Sequence, residues 1–552
     1  MIGRVDLKTE QIELLKKVGA GLLFIIFFSL SFPLVIPGNE QPVWLHRAIG
    51  WIFVFPVMPL FFYIVDSYKK FSRKTLALYL ICFPANGFVF YWAYYSIHVF
   101  GGVSIFSTSL LLIVMFALIS TYWLLFLYLF EMARKAGMGK PWVAAVLWVS
   151  CETVRTFFPV DFYWSAFGHS QYNNPITLQW ASIGAIYLLS FMIVWISMYA
   201  YEWLRGNRFK KEGLVLFSVV ALLVLYSGYR LYVFRNMKPV KEVKVAVMQP
   251  SINQYDINSK EKSMDEIIAV LTEQINSFDK DSDILIWYEA GMPMRVPVGF
   301  TQYDYLWNRY FPDAYYFKNQ VVGLDMIDRE KREFYNAAGF VQKGKIQKVY
   351  RKIKLAPFGE YLPMQDFLFS IGLSTIVPNT VGSFIRGTEH TVYDFGKVKT
   401  SVLICYDGTF SENVREFVKN GTELLINISN DAWFGYSSET FQHGSFYPFR
   451  AVESGRTIVR AANVGISGVI LPDGSITDAT ELFERTTLNP VVPIYEFDTI
   501  YLKFGNWFLY LVFLATGVIV FMSFRKNREI SAKLKKEVVA KKKNSGKKRS
   551  KR

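Results

Sequence analysis

Cys405 is the only one of three cysteines to fall outside an apolar run of membrane-spanning length. It follows the strand-like run 400–404 in TSVLICYDGTF. A thiol at a strand end is placed to act as a nucleophile, and backbone N–H groups of the following turn can meet a developing oxyanion. A buried cysteine can equally pack as a small hydrophobe, so its partners decide. His390 and His443 are the only histidines between 235 and 503, and neither stands in a recognisable protease context. Carboxylates and a lysine have more telling surroundings. Glu289 ends the apolar run in DILIWYEAGMP, just before a Gly/Pro turn. Lys352 stands in VYRKIKLAPFGEYLP, with Glu360 eight residues later in the same loop. Alone, either group would be a solvated charge. Together with the thiol, these contexts change the odds in favour of a functional site.

Elements to position such a site follow from composition. The 552 residues are 52% hydrophobic and 19% charged, which excludes a disordered chain, and three cysteines exclude a disulfide scaffold. Apolar runs near 18–36, 48–65, 76–98, 104–131, 142–158, 177–200, 214–234 and 504–523 approach the ~20 residues that cross a bilayer. Basic residues cluster in alternate connections: Arg4, Lys8, Lys16 and Lys17; Lys69 to Lys74; Arg134 to Lys140; Arg205 to Lys211. By the positive-inside rule these and both termini face the cytoplasm, which puts 235–503 outside. That segment has 29 Lys and Arg against 33 Asp and Glu, whereas 524–552 has 14 against 2. The net charge of +16 is therefore a topology label that meets anionic lipid, and no nucleic-acid partner is expected.

The expected organisation is a membrane domain of seven transmembrane helices at 1–234, an extracytoplasmic domain at 235–503, an eighth span at 504–523, and a basic tail at 524–552, disordered at its end. Short β-type runs at 243–248, 284–287, 321–326, 402–404, 424–428 and 468–471 alternate with helical patterns at 264–278 and 441–456. They predict an α/β or layered αββα sandwich. Asp431 is expected to cap a turn after a strand, Glu453 to pair with Arg456, and Glu152 to pair with Arg155. No metal-ligand spacing or nucleotide fingerprint occurs, so no metal and no cofactor is predicted.

The contexts of Glu289, Lys352 and Cys405 resemble, in chain order, the Glu–Lys–Cys triad of the nitrilase (carbon–nitrogen hydrolase) superfamily. The loop Y-x-K-x-x-L-x-P-F-G-E-Y-x-P is similar to that of its membrane branch, the apolipoprotein N-acyltransferases. So are ISNDAWFG at 428–435, Gln442-His443, RAVESGRTIVRAANVGISGVILPDG at 450–474 and CETVRTFFPVDFYWSAFGHSQ at 151–171. The chain departs from that pattern at Tyr288 (for Pro), Asp407 (for Glu), Ala356 (for Val) and Val464, and Tyr255 is the one aromatic candidate after the domain's first strand. The resemblance implies a nitrilase-like domain in the bacterial cytoplasmic (inner) membrane. Glu289 would be the base, Lys352 the oxyanion cation, Cys405 the nucleophile, and Glu360, Tyr406 and Asp407 supporting groups. It further implies acyl transfer from a phospholipid, through a thioester, to the N-terminal amine of a diacylglyceryl apolipoprotein. Trp433, Phe434 and His443 would lie near substrate. A membrane-anchored amidase or nitrilase, and an inactive lipoprotein-binding scaffold, are the alternatives.

Overall fold

The computed structural model describes all residues except 1, 37–43, 158–160, 254–262, 300–308, 363–364, 366–369, 371–383 and 550–552; Tyr255 therefore lies outside the described residues. The helices before the sandwich are α1 (Ile2–Leu30), α2 (Trp44–Phe53), α3 (Val57–Val65), α4 (Phe71–Phe90), α5 (Ile105–Lys135), α6 (Pro141–Val154), α7 (Pro175–Leu178), α8 (Ala181–Leu204) and α9 (Lys210–Asn236), with a π-turn at Tyr95–Phe100. Among the described residues, four helices are long and apolar enough to cross a membrane: α5, α8, α9 and the Trp507–Val539 part of α15 (Trp507–Arg549). α8 is the hub, with 83% of its apolar window buried against 17% for α9. On α9, Phe217 and Leu225 turn outward, 72% and 69% exposed, an apolar surface suited to lipid rather than water. α6 is shorter than the expected run because the backbone leaves the helix at Arg155. α15 continues to Arg549 through the basic segment for which the sequence predicts terminal disorder.

Between α9 and α15 stands a two-sheet sandwich. Its strands are β1 (Lys241–Gln249), β2 (Ile284–Ile286), β3 (Val296–Pro297), β4 (Asn319–Asp328), β5 (Glu333–Gln342), β6 (Lys345–Arg351), β7 (Tyr393–Asp394), β8 (Lys399–Ile404), β9 (Leu424–Ser429), β10 (Thr457–Ala462), β11 (Gly468–Ile470), β12 (Ile476–Thr477), β13 (Thr486–Leu488) and β14 (Val491–Ile494). The first sheet runs β13-β1-β2-β4-β5-β6, with β14 on β1 and β3 on β4; the second runs β12-β11-β10-β9-β8-β7. Val245, Ile286 and Phe340 of the first sheet share one buried layer with Ile404, Ile426 and Ile458 of the second. α10 (Met264–Ser277) covers the other face of the first sheet through Ile267, Leu271 and Ile275. α11 (Ser411–Lys419) lies against the second sheet, and α13 (Phe446–Ser454) packs on α8, joining the sandwich to the membrane helices.

This is the αββα arrangement predicted from the sequence. The six strand-like runs fall on β1, β2, β4, β8, β9 and β11, whereas β5, β6 and β10 escape the apolar pattern. β5 carries Asn336 among small residues, and β10 carries Arg460. The helix expected over 441–456 breaks at Ser445 into α12 (Ser438–Gly444) and α13. Gly455 ends α13 at φ +65°, where a Cβ would stand 1.8 Å from the Phe497 carbonyl oxygen. Only glycine serves there. α14 (Ile500–Phe504) then leads into α15.

Candidate active site

β8 pairs in parallel with β9, so its buried Val402-Leu403-Ile404 run is held rigidly up to the residue that follows. That residue is Cys405, at φ +46°. A non-glycine residue in this region costs about 1–3 kcal/mol and persists only where the surroundings impose it. Here they do. A 3₁₀ turn, Cys405–Thr409, starts at once, and its first N–H groups, including that of Tyr406, have no carbonyl within the turn to bind. Gly408 passes so close to Tyr447 that a Cβ would lie 2.5 Å from the ring. Tyr447 OH donates to the Cys405 carbonyl at 3.0 Å, and buried Arg450 Nη1 donates to the Thr409 carbonyl at 2.7 Å.

Asp407 ties this elbow to the lysine loop. It accepts from Lys354 N at 2.6 Å, Tyr350 OH at 2.7 Å and Ile404 N at 3.3 Å. Burial raises its pKa to about 6, against the opposing pull of Lys352.

Glu289 lies just beyond β2. Gly323 on β4 admits it: a Cβ there would stand 2.1 Å from the Tyr288 carbonyl oxygen. Tyr288 itself faces the layer beneath α10, so this departure from the family pattern is a packing residue. Glu289 Oε1 accepts from Lys352 Nζ at 3.2 Å and Asn336 Nδ2 at 2.7 Å, and Oε2 accepts from Asn430 N at 2.8 Å. Glu360 Oε1 accepts from Lys352 Nζ at 3.0 Å and Asn336 Nδ2 at 2.6 Å, while Oε2 accepts from Ala356 N at 2.7 Å. One ammonium and one amide thus bridge two carboxylates. Burial of Lys352 (1% exposed) favours its neutral form, but Glu289 and Glu360 outweigh that and hold its pKa well above the ordinary value. It is a fixed cation. Burial pushes the Cys405 thiol pKa well up, Glu289 adds to the rise and Lys352 opposes it, so the resting thiol is protonated and needs a base.

Asn336 was not singled out from sequence. An amide directly before the small run Ala337-Ala338-Gly339 of β5 was the available signal. Also unforeseen is the cluster behind the thiol. Asp431 accepts from Arg460 Nη2 at 2.5 Å and Ser429 Oγ at 2.7 Å, and lies 3.1 Å from His443 Nδ1. Burial would raise its carboxyl, yet Arg460 and His443 hold it well below the usual range. His443 Nε2 lies 3.2 Å from Tyr447 OH. Cys405 Sγ, an Asp431 oxygen and a His443 nitrogen all fall within 4.8 Å of one another, a metal-compatible set of donors. Arg460 on Asp431 and the two partners of the imidazole already occupy the polar atoms, so the set reads as a hydrogen-bonded support.

Several sequence expectations are corrected. Asn430, not Asp431, caps the turn Asp431–Phe434 by accepting from Ala432 N at 3.3 Å. Glu453 pairs with Arg450 at 2.9 Å, while Arg456 faces Asp498 at 3.7 Å. The spacing that suggested a Glu453–Arg456 pair is broken because α13 ends before Arg456. Glu152 accepts from Phe167 N and Trp148 Nε1, and Arg155, which caps the end of α6, donates to Ser165. His390 is remote, bonded to Asn413. Val464 is buried in the core.

Trp433 is 40% exposed and edge-on to Phe100, while Phe434 is edge-on to Trp92 at 5.5 Å, so both meet residues that precede α5. The segment after α6 reaches the elbow itself. Trp164 stacks on the Tyr406 ring at 5.7 Å and 10°, and Tyr406 OH donates to the Asp161 carbonyl.

Sequence profiles match two regions: carbon–nitrogen hydrolase over 314–494, and apolipoprotein N-acyltransferase N-terminal domain over 26–199. The sandwich is thus that of a carbon–nitrogen hydrolase superfamily enzyme. An apolipoprotein N-acyltransferase of Geobacter metallireducens is 28% identical over 91% of this chain and 94% of its own, and one of Thermotoga maritima is 27% identical over 90% and 89%. A solved amidase from Nesterenkonia is 21% identical, with a TM-score of 0.33, over 50% of this chain and 97% of its own. Along about nine-tenths of its length the chain is thus similar to apolipoprotein N-acyltransferases.

Proposed function

We propose that the protein transfers an acyl chain from a phospholipid, through a thioester on Cys405, to the N-terminal amine of a diacylglyceryl-cysteine lipoprotein. Glu289 takes the thiol proton, and the thiolate attacks the ester carbonyl. Lys352 and the N–H of Tyr406 stabilise the tetrahedral oxyanion. Collapse breaks the ester bond, and the leaving lysophospholipid oxygen takes the proton from Glu289. The incoming amine then gives a proton to Glu289 and attacks the thioester. The thiolate leaves and recovers that proton. Glu360, Asn336 and Asp407 are positioning residues: the first two hold the lysine and base, and the third fastens the lysine loop to the elbow.

One observation carries this reading over a small-substrate hydrolase. The wall beside Cys405 comes from the membrane helices' own connection, through Trp164 on Tyr406. An enzyme acting on a soluble amide has no need of such a wall, whereas substrates anchored by acyl chains must react beside the bilayer. Crowding by Trp164, Phe434 and Phe446 also excludes water, which favours aminolysis over hydrolysis of the thioester. The charge pattern supports a cytoplasmic N-terminus and tail, with 235–503 on the outer face of the bacterial cytoplasmic membrane.

The test is mass spectrometry of the purified protein incubated with phospholipid. The expected result is an acyl adduct on Cys405 that hydroxylamine removes, and that a diacylated lipopeptide discharges into a triacylated product. Folded protein with no adduct overturns the proposal, and discharge only to free fatty acid assigns a hydrolase.

A further inference from the structure

One face of β4 reads Val321, Gly323, Asp325. Side chains alternate along a strand, so Asp325 points into the same gap between the sheets as Val321, which joins their shared apolar layer, and as Gly323, against which the Glu289 backbone rests. Directly opposite on β5 stands Asn336, in register with Asp325 as Ala338 is with Gly323 and Phe340 with Val321. Side chains so paired have Cβ atoms about 4.5–5.5 Å apart. Both lack donors. Asn336 Nδ2 is committed to Glu289 and Glu360, and its Oδ1 is buried with no hydrogen-bond partner among the described residues. Asp325, half-buried, has neither a hydrogen bond nor an ion pair among the described residues. Three carboxylates, Asp325, Glu289 and Glu360, meet two cations here, Arg295 and Lys352. Lys352 is bonded to the two glutamates, and the Arg295 guanidinium lies over the Phe334 ring, 4.9 Å from its centroid. The corner is short of one positive charge and of N–H donors. A primary ammonium, with three donors and no acceptor, supplies both.

We propose that Asp325, with Asn336 Oδ1, receives the N-terminal ammonium of the acceptor and takes its first proton. The inference rests on the acyl-transfer reading of the site and deepens it, because an ammonium must shed one proton before it can attack. That proton passes to the Asp325 carboxylate, leaving a neutral amine and a neutral acid. The amine gives its second proton to Glu289 as the N–C bond forms. The C–S bond breaks, the Cys405 thiolate recovers that proton from Glu289, and Asp325 returns its own to water. Burial and the charge of Glu289 raise the Asp325 pKa to about 6, with Glu360 adding to the rise and Arg295 and Lys352 opposing it. An α-amino group titrates near about 7.7–8.0, so this carboxylate is a better-matched base for it than an ordinary aspartate.

In full-length protein the Cys405 thioester is formed first and then discharged, either by a diacylated lipopeptide or by hydroxylamine, which is uncharged at neutral pH and has no ammonium proton to shed. In Asp325→Asn the lipopeptide rate relative to the hydroxylamine rate should fall about tenfold or more. Asp325 must be ionised to take the proton, so the parent's lipopeptide discharge should weaken on the acid side only near pH 6. In Asp325→Asn that limb should move up to about 7.7–8.0, where the free amine itself appears. Asp325→Glu should restore part of both. Asp325→Asn protein with the parent's ratio and acid limb, or with both nucleophiles slowed alike, overturns the proposal; Asp325→Ser is read in the same way if the amide variant fails to fold. Binding is read apart from catalysis on Cys405→Ala protein, as affinity for the lipopeptide against its N-acetylated form. The free amine should bind about tenfold tighter, and Asp325→Asn should erase that difference. A difference that survives the substitution, or is absent before it, sinks the ammonium site. A difference that the substitution erases, in a protein whose parent forms no adduct, keeps the ammonium site and sinks the transfer reaction alone.

Discussion

Replacing Lys352 with Met removes the side-chain cation bonded to Glu289 while leaving Cys405 in place. Thioester formation should fall by about 10²–10³-fold, the usual loss for one oxyanion donor, as followed by adduct accumulation with time. Cys405→Ala should give no adduct at all. Asp407 supplies a pH test. Its pKa is raised to about 6 by burial, so it is ionised at neutral pH and takes a proton as the pH falls through that value. Protonation weakens its hold on Lys354 N and Tyr350 OH, and the lysine loop loosens from the elbow. The rate of thioester formation should therefore drop on the acid side with a midpoint near pH 6, and Asp407→Asn should remove that inflection. At this scale much was legible. Glu289, Lys352 and Cys405 each stood in a motif, because the proposed chemistry restricts residue type at those positions. Asn336 and Arg460 were not legible, because an amide or guanidinium inside a strand looks like a break in the apolar pattern until its partners, distant in sequence, are known.

At the scale of elements, the site is a set of strand ends brought to one edge. β2 delivers Glu289, β6 leads to Lys352 and β8 to Cys405, and close backbone approaches fix their spacing. Gly323→Ala would press a Cβ to 2.1 Å from the Tyr288 carbonyl oxygen and displace Glu289. It should cut adduct formation about a hundredfold while the chain still folds, the loss expected of a misplacement near 1 Å, measured beside a melting curve. The Asp431–Arg460 pair supports β10 and the turn after β9 from within the core. Asp431→Asn leaves the guanidinium buried without its counter-charge and should lower stability by about 3–5 kcal/mol, visible as a large fall in Tm. The strands with uninterrupted apolar runs were readable in advance, as was the amphipathic α10. The break at Ser445 was not, since only the packing of α12 and α13 against different layers requires it.

For the whole molecule, the membrane helices' connections and the sandwich meet beside Cys405, at the candidate site. Trp164 and Phe434 make contacts across the seam, so neither part is sufficient for the proposed reaction. Orientation is open to a direct test. A membrane-impermeant maleimide applied to intact cells should label a Ser475→Cys variant, exposed on the sandwich, and should leave Ser531→Cys on the basic extension of α15 unlabelled until the membrane is opened. The reverse pattern would invert the proposed topology.

The sequence by itself determined the layered αββα domain and the division of charge between the two ends of the chain, and singled out the residue types proposed to carry the chemistry. Those are properties of local pattern: apolar periodicity, motif spacing and the clustering of lysine and arginine. The left-handed backbone at Cys405, the amide bridge between Glu289 and Glu360 and the Trp164 wall were decided only by tertiary structure. Each depends on atoms brought together from segments tens to hundreds of residues apart, and no local pattern encodes which of them will meet.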